Sequence, residues 1–188
     1  MIIDLVLGAV VVVLYYPALH GPFLFDDLAI LNGLRQDRRP PWVVFYTQLR
    51  NTRLDQWRAY VESRPLTWLS YRLDFYRAGM NPKTFHRTNI ALHLVAVVLA
   101  YHWTRHWLPD ARAALVALLF AVHPLATGAV AYISGRASVL CAVFMLAALV
   151  AAVSRFWPLA LLFGILALMS KEEAVLVPLF LGAVLWLN

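Results

Sequence analysis

Two adjacent carboxylates, Asp26 and Asp27, follow the apolar run Phe23-Leu24-Phe25 at the point where the chain leaves its first apolar segment. Repulsion between neighbouring carboxylates and partial loss of hydration suit one of them to accept a proton. The pair is therefore a candidate for a general base or a metal ligand. In the alternative, structural interpretation, the pair is an N-cap and an acidic first turn of a helix.

Arg136 and Lys171 are isolated cations at the ends of apolar segments. An ionisable group at membrane depth usually has a function, and these two cations suit the phosphate of a lipid-linked substrate. In the alternative interpretation, each side chain extends to the lipid head groups.

His123-Pro124 interrupts an apolar stretch, so the proline is expected to free backbone groups that a neighbour or a cavity must satisfy. His123 is either part of a site or a hydrogen-bonding residue between helices. His102 and His106 have the i, i+4 spacing of metal ligands, but no third ligand is nearby and we interpret them as interfacial. The sequence predicts no cofactor and indicates no divalent metal.

The chain has 188 residues, of which 62% are hydrophobic and 14% charged. That composition is typical of a membrane protein. Eleven of the sixteen Lys and Arg residues lie between Arg35 and Arg87, interleaved with Trp and Tyr. This pattern favours membrane lipid or a phosphate as the partner, and not nucleic acid. Cys141 is the only cysteine, which excludes a disulfide within the chain.

The apolar runs predict an all-α, polytopic transmembrane helix bundle in which residues 1–188 form a single membrane domain. We expect about six spans and a long first outer loop that carries interfacial amphipathic helices. The first run lacks a basic start and an A-x-A cleavage site, so we interpret it as a retained span. The predicted spans are 2–18, 84–103, 111–133, 139–153, 157–169 and 174–187, and the predicted outer loop is 19–83.

One amphipathic helix is predicted directly after Arg64, because Pro65 suits a first helical turn and Gly79 suits a helix end. Its predicted apolar face comprises Leu66, Leu69, Leu73 and Tyr76, and its predicted polar face comprises Arg64, Arg72 and Arg77.

Orientation follows from the short loops, which carry Arg105 and Arg155 and are therefore expected to be cytoplasmic. Six alternating spans then bring the outer loop, Arg136 and residues 170–173 to the opposite surface. An amino-acid composition rich in Ala and Arg indicates a bacterial protein. We therefore expect an inner-membrane protein with its active face in the periplasm.

Four stretches in one order carry a resemblance to a known family. They are Gly21-Pro22-Phe23-Leu24-Phe25-Asp26-Asp27, Arg64-Pro65-Leu66-Thr67-Trp68-Leu69-Ser70 with His86 and Asn89, Phe120-Ala121-Val122-His123-Pro124 with Gly135-Arg136-Ala137, and Ser170-Lys171-Glu172. The chain resembles the membrane module of the O-mannosyltransferases that carry tetratricopeptide repeats. These enzymes belong to the GT-C class, which uses polyprenyl-phosphate sugars as donors.

The resemblance implies transfer of a sugar, mannose in this family, from a polyprenyl-phosphate carrier to a protein hydroxyl on the non-cytoplasmic face. It implies that Asp26 or Asp27 is the general base and that Arg136 and Lys171 contact the donor phosphate. The GT-C class has both metal-dependent and metal-independent members, and monophosphate donors generally go with the metal-independent ones, so the resemblance leaves the metal requirement open. Further candidates for the substrate site are Arg64, His86, His123 and Glu172.

The sequence also departs from the family. Ala126 and Gly128 stand where the family usually has a histidine and an acid, and Ser138 replaces a common acid. The chain ends at Asn188, without the further helices or repeats of a complete enzyme. Two alternatives therefore stay open: a non-catalytic scaffold that binds polyprenyl phosphate, and an incomplete GT-C enzyme that needs a partner subunit. A transporter is disfavoured because the spans carry almost no mid-span charge.

Overall fold

A computed structural model of the protein describes residues 2–36 and 64–187. Every regular element within these two ranges is helical. Residues 37–63 of the predicted outer loop, and residues 1 and 188, lie outside the described part. The α-helices are α1 Ile2–Tyr15, α2 Asp26–Gln36, α3 Pro65–Ala78, α4 Pro82–Thr104, α5 Asp110–Ala121, α6 Pro124–Ala131, α7 Arg136–Val153, α8 Trp157–Leu168 and α9 Val177–Leu187, and short 3-10 helices cover Tyr16–His20 and Glu172–Leu176.

The helices that could cross a membrane are fewer than predicted. Within the described residues, two segments are long and apolar enough, Ile2–His20 and Arg136–Val153. The pair of α5 and α6 passes the same criterion as one broken span. Helix α8 is apolar but has only 12 residues, about 18 Å of helix. Within the described residues the structure thus confirms an all-helical fold with two or three candidate spans, and not a clear set of six.

The predicted break at His123-Pro124 is confirmed, because α5 and α6 meet there at an angle of 58°. The carbonyl oxygen of Ala121, which loses its helical donor at the break, accepts a hydrogen bond from the hydroxyl of Tyr15 at 3.4 Å. The ring Nε2 of His93 lies 3.3 Å from the same oxygen. Polar side chains of other helices thus satisfy the carbonyl group exposed by the break.

Helix α4 has 23 residues. Polar side chains on its buried side bind backbone carbonyl groups that the broken span leaves without helical donors. Its buried Asn89 donates hydrogen bonds to the carbonyl oxygens of Val130, at 3.4 Å, and Tyr132, at 2.9 Å. These carbonyls belong to the end of α6 and to the turn that follows. Helix α4 packs against α1, α5, α6 and α7 and is the central helix of the bundle.

Helix α3 confirms the helix predicted after Arg64, with Pro65 at its start and Gly79, at φ 59°, after its end. The predicted faces are partly wrong. Arg72 was assigned to the polar face, but it is buried and donates a hydrogen bond to the carbonyl oxygen of Leu34 at 3.2 Å. The side of α3 that faces the protein is therefore polar and aromatic. It packs with α2 and α4 around a small core that comprises Ile30, Leu31, Leu34, Trp68, Tyr71, Phe85 and Ile133.

Candidate functional site

Asp26 and Asp27 begin helix α2 but have different surroundings. Asp27 is buried, and its Oδ1 accepts a hydrogen bond from the backbone N–H of Ser134 at 2.7 Å. Its Oδ2 accepts one from the N–H of Leu24 at 3.0 Å, which closes the first turn of the helix. Asp26 is exposed and has no hydrogen bond or ion pair with any residue that the structure describes. Asp26 is therefore the carboxylate that a reactant can reach.

The residue before this pair has an uncommon backbone conformation. Phe25 has φ 45°, in the left-handed region, and its ring is 78% exposed. A bulky residue in this region costs about 1–3 kcal/mol, and such conformations are concentrated at functional sites. The conformation of Phe25 sets the direction of the chain as it enters α2 at Asp26.

Arg136 begins helix α7 and is fully enclosed by the protein. Its Nε donates to Oδ1 of Asn89 at 2.7 Å and its Nη2 to the carbonyl oxygen of Phe85 at 2.9 Å. Its Nη1 lies 2.7 Å from Oδ2 of Asp74 in an ion pair, and its guanidinium is 4.6 Å from the centre of the Tyr71 ring. The geometry favours a role in holding α3, α4 and α7 together over a direct contact with a donor phosphate.

Asp74 and Asn89 were not among the predicted site residues, although both bind Arg136. Asp74 is the only acid between Glu62 and Asp110, in the most basic part of the chain. That isolation was a usable signal for a buried ion pair, because an unpaired acid inside a half-buried helix is rare.

Lys171 and Arg64 each bind a carboxylate at the turn between α8 and α9. Arg64 donates two hydrogen bonds to Glu172, at 2.9 and 2.5 Å. Nζ of Lys171 lies 2.7 Å from Oε1 of Glu173 and donates a hydrogen bond to Oγ of Ser138 at 2.9 Å. The hydrogen bonds from Arg64, the largest cause, hold the pKa of Glu172 at about 2.

The start of α3 is attached to the same turn by its backbone. Oγ1 of Thr67 donates a hydrogen bond to the buried carbonyl oxygen of Ser170 at 2.8 Å. The N–H of Leu66 donates to the carbonyl oxygen of Met169 at 3.1 Å. Arg64 is therefore held beside Lys171 by the fold, and not only by its contact with Glu172.

The site has two parts, the carboxylates at the start of α2 and the cations at the turn between α8 and α9. Residues 132–138, at the start of α7, connect these two parts. Ser134 binds Asp27 at one end of this segment, and Ser138 binds Lys171 at the other. Gly135 lies between them, and a Cβ added at Gly135 would stand 2.4 Å from the carbonyl oxygen of Ala129. These contacts bring the starts of α2 and α7 and the turn at Lys171 together at one end of the bundle, and the side of the membrane on which that end lies stays a prediction.

The two histidines of the predicted site lie in different places. His86 is buried on α4, and its Nε2 lies 3.2 Å from the carbonyl oxygen of Gly21, close to the turn that precedes Asp26. His123 is exposed at the start of α6, where its Nδ1 accepts a hydrogen bond from the N–H of Leu125 at 3.2 Å. The eight residues of α6, about 12 Å of helix, separate His123 from the segment that binds Asp27.

Within residues 2–36 and 64–187, no group of three or more His, Cys, Asp or Glu side chains could hold a metal ion. Base chemistry by one carboxylate and charge stabilisation by two cations are what the described arrangement offers.

Comparison with known proteins identifies relatives over most of the chain. The sequence is 43% identical to mouse Protein O-mannosyl-transferase TMTC1 over 141 residues, which are 71% of this chain and 15% of that protein. It is 34% identical to human Protein O-mannosyl-transferase TMTC4 over an alignment of 205 positions, with 92% of this chain and 28% of that protein covered. It is 36% identical to Drosophila melanogaster Protein O-mannosyl-transferase Tmtc1 over 185 residues, 93% of this chain and 22% of that protein.

No family model matches the sequence, and no solved structure matches it. The similarity to the named transferases confirms the resemblance that the four motifs indicated. By sequence, the chain is therefore a relative of the proteins named protein O-mannosyl-transferase TMTC1 to TMTC4, and it spans less than a third of the length of these relatives.

Proposed function

We propose that this chain is a GT-C glycosyltransferase module that transfers mannose from a polyprenyl-phosphate carrier to a protein hydroxyl. The names of its relatives support sugar transfer to protein in general. The observation that carries the proposal is the exposed Asp26, whose neighbour Asp27 binds Ser134 in the same segment, residues 132–138, that contacts Lys171 through Ser138. A base for the acceptor hydroxyl and cations for the leaving phosphate, at the same end of the bundle, are what this reaction requires.

In the proposed reaction the acceptor hydroxyl oxygen forms a bond to the anomeric carbon of the sugar. The bond from that carbon to the phosphate oxygen breaks, and the phosphate leaves with the electron pair. Asp26 takes the proton of the acceptor hydroxyl, which makes the oxygen a better nucleophile. Lys171 and Arg64 stabilise the negative charge that develops on the leaving phosphate.

Three other predicted residues have supporting roles in this proposal. Asp27 holds the start of α2 against Ser134, and Arg136 holds α7 against α3 and α4. His86 positions the Gly21 turn before Asp26. His123 is exposed at the start of α6, apart from the segment that binds Asp27, and has no role in the proposed step.

The proposal includes a multi-pass arrangement of about six spans with the site on the non-cytoplasmic side, the periplasm of a bacterium. The short helices α8 and α9 then lie within the membrane on either side of the turn that carries Lys171. The orientation in the membrane is tested with the variants Lys171→Cys and Arg155→Cys and a thiol reagent that does not cross the membrane. We expect labelling of the first from the non-cytoplasmic side and of the second from the cytoplasmic side.

The reaction is tested with purified protein in lipid vesicles, polyprenyl-phosphate-mannose with a labelled sugar, and a serine- and threonine-containing acceptor peptide. We expect transfer by the wild type and a loss of at least about a hundredfold in Asp26→Asn, as for removal of a general base. Asp110→Asn is the matched control, because this exposed carboxylate pairs with Arg105. Binding of the lipid without any transfer would contradict the proposal in favour of a binding scaffold or an enzyme that needs a partner subunit.

A further inference from the structure

The two ion pairs at the turn between α8 and α9 share an unusual asymmetry. The cations are enclosed, since the side chains of Arg64 and Lys171 are each only 18% exposed. Their carboxylate partners are open to solvent, with Glu172 62% and Glu173 65% exposed. The cations are therefore fixed on the inside, and the anions lie on the outside of each pair.

Independent contacts keep the cations in place if the carboxylates move. Lys171 also donates to Oγ of Ser138, and the start of α3 is bonded to Ser170 and Met169 through its own groups. Both acids, in contrast, lie in the first turn of a short 3-10 helix, Glu172–Leu176. These exposed acidic side chains can rotate away into water, which hydrates the carboxylates and screens their attraction to the cations.

The transfer reaction changes the charge of the phosphate that these cations would hold. In the donor the phosphate is a diester of the sugar and the polyprenol, with one negative charge. When the sugar leaves for the acceptor oxygen, the phosphate keeps the bonding electron pair and becomes a monoester. A phosphate monoester carries about −1.5 to −2 charges at pH 7. The product is therefore held more tightly than the donor by the same two cations, which is unfavourable for turnover.

We propose that Glu172 and Glu173 are exchangeable counterions of a phosphate-ester site formed by Arg64 and Lys171. The two carboxylates move aside when the singly charged donor binds to the cations. After transfer they compete with the doubly charged product for the same cations, and this competition speeds release of the product. The carboxylates thus set the preference of the site between diester and monoester. The faster release of product rests on the proposed function. The competition between carboxylates and phosphate for the two cations does not, because it is a property of binding alone.

Binding is therefore measured without sugar or acceptor. The probe is a short-chain polyprenyl monophosphate with a photoreactive group, titrated into vesicles that contain the full chain. We expect Glu172→Gln and Glu173→Gln each to lower the Kd for the probe about fivefold, the factor that corresponds to one exposed ion pair that no longer competes. We expect Lys171→Met to lose most of the binding. Asp110→Asn, which removes an exposed acid paired elsewhere, is expected to bind like the wild type.

A second probe tests the preference for charge. A polyprenyl phosphate diester with a methyl group in place of the sugar has one negative charge, and we expect the Gln variants to tighten its binding by less than that of the monoester. Unchanged or weaker binding of the monoester in both Gln variants overturns the proposal. So does wild-type binding that Lys171→Met leaves intact, or no binding of either probe to any variant. Tighter binding in the Gln variants upholds it even if no mannose transfer is ever found, which separates its failure from that of the proposed function.

Discussion

At the scale of single residues, the adjacent carboxylates of α2 divide two tasks between them. Both oxygens of Asp27 accept backbone hydrogen bonds, whereas Asp26 is exposed to solvent. In Asp27→Asn the amide provides only one acceptor oxygen, so one of these buried N–H groups loses its partner. We expect a loss of about 1–3 kcal/mol in the free energy of unfolding, against less than about 0.5 kcal/mol for Asp26→Asn.

Chemical unfolding of both variants in detergent, followed by circular dichroism, tests this division. Equal stability of Asp26→Asn and Asp27→Asn would show that the buried carboxylate does not hold the turn. Activity alone would not separate the two residues, because a distorted turn also displaces Asp26.

The ion pair of Arg136 and Asp74 allows a sharper prediction of the same kind. Asp74→Asn leaves an enclosed guanidinium without a counter-charge, which typically costs about 3–5 kcal/mol. Arg136→Met leaves the opposite charge unpaired and is expected to be destabilised by a similar amount. Because the double variant buries no unpaired charge, we expect it to be more stable than the sum of the two losses predicts. Strictly additive losses in a double-mutant cycle would contradict the burial of this pair.

At the scale of elements, the contact between Arg64 and Glu172 joins the start of α3 to the turn before α9. The Arg64 guanidinium lowers the pKa of Glu172 from an ordinary value of 4.5 to about 2. A carboxylate with a lowered pKa stabilises the fold above its unfolded value, and the effect is lost as the pH falls from about 4.5 to about 2. The carbon-13 shift of the Glu172 carboxyl should therefore titrate near 2 in the wild type and move toward 4.5 in Arg64→Met. A midpoint near 4.5 in both proteins would contradict the contact.

How far the sequence determines these elements is clear from α3. Its bounds follow from Pro65 and Gly79, because helix starts and ends depend on local backbone chemistry. Its buried face does not follow from the spacing of its leucines. The partners that draw Arg72 and Asp74 inward, Leu34 and Arg136, are distant in sequence, and no local pattern reveals them.

The same distinction applies to the site. The break before α6 was predictable because proline acts on its own helix, and the identity of Asp26 and Asp27 as candidates was predictable from their position after an apolar run. Their separate roles were not predictable, since the N–H of Ser134 that engages Asp27 lies 107 positions away. For Arg136, the position at the end of an apolar segment suggested contact with a phosphate or with lipid head groups, but its burial depends on two other segments of the chain, α3 and α4.

At the scale of the whole molecule, the two ends of the bundle differ in chemistry. One end gathers the starts of α2, α3 and α7 with the turn at Lys171. At the other end, Asp4 pairs with His102 at 3.0 Å and Arg105 pairs with Asp110 at 3.6 Å. The helices between these ends carry most of the exposed apolar side chains, such as those of Leu5, Leu119 and Leu161. An apolar belt between two polar ends is the pattern expected of a membrane protein whose site lies at one surface.

The connection between the two parts of the site depends on the absence of one side chain. In Gly135→Ala the new methyl group would stand 2.4 Å from the backbone oxygen of Ala129, so the turn between α6 and α7 must shift. That turn carries the N–H that binds Asp27 and leads to the hydroxyl that binds Lys171, so both contacts are disturbed together. We expect a loss of at least about tenfold in transfer together with weaker phosphate binding, because misplacement of about 1 Å can cost a hundredfold in rate.

Gly128→Ala is the matched control for that variant, because a Cβ at Gly128, inside α6, meets no atom within 4 Å. This change is expected to leave transfer and binding unaltered and to stabilise the helix by up to about 1 kcal/mol. The two variants add the same methyl group seven positions apart, so a difference between them reports on the turn and not on helix propensity. If Gly135→Ala lowered transfer while phosphate binding stayed at the wild-type level, residues 132–138 would support only the carboxylates of α2, and the two parts of the site would be independent of each other.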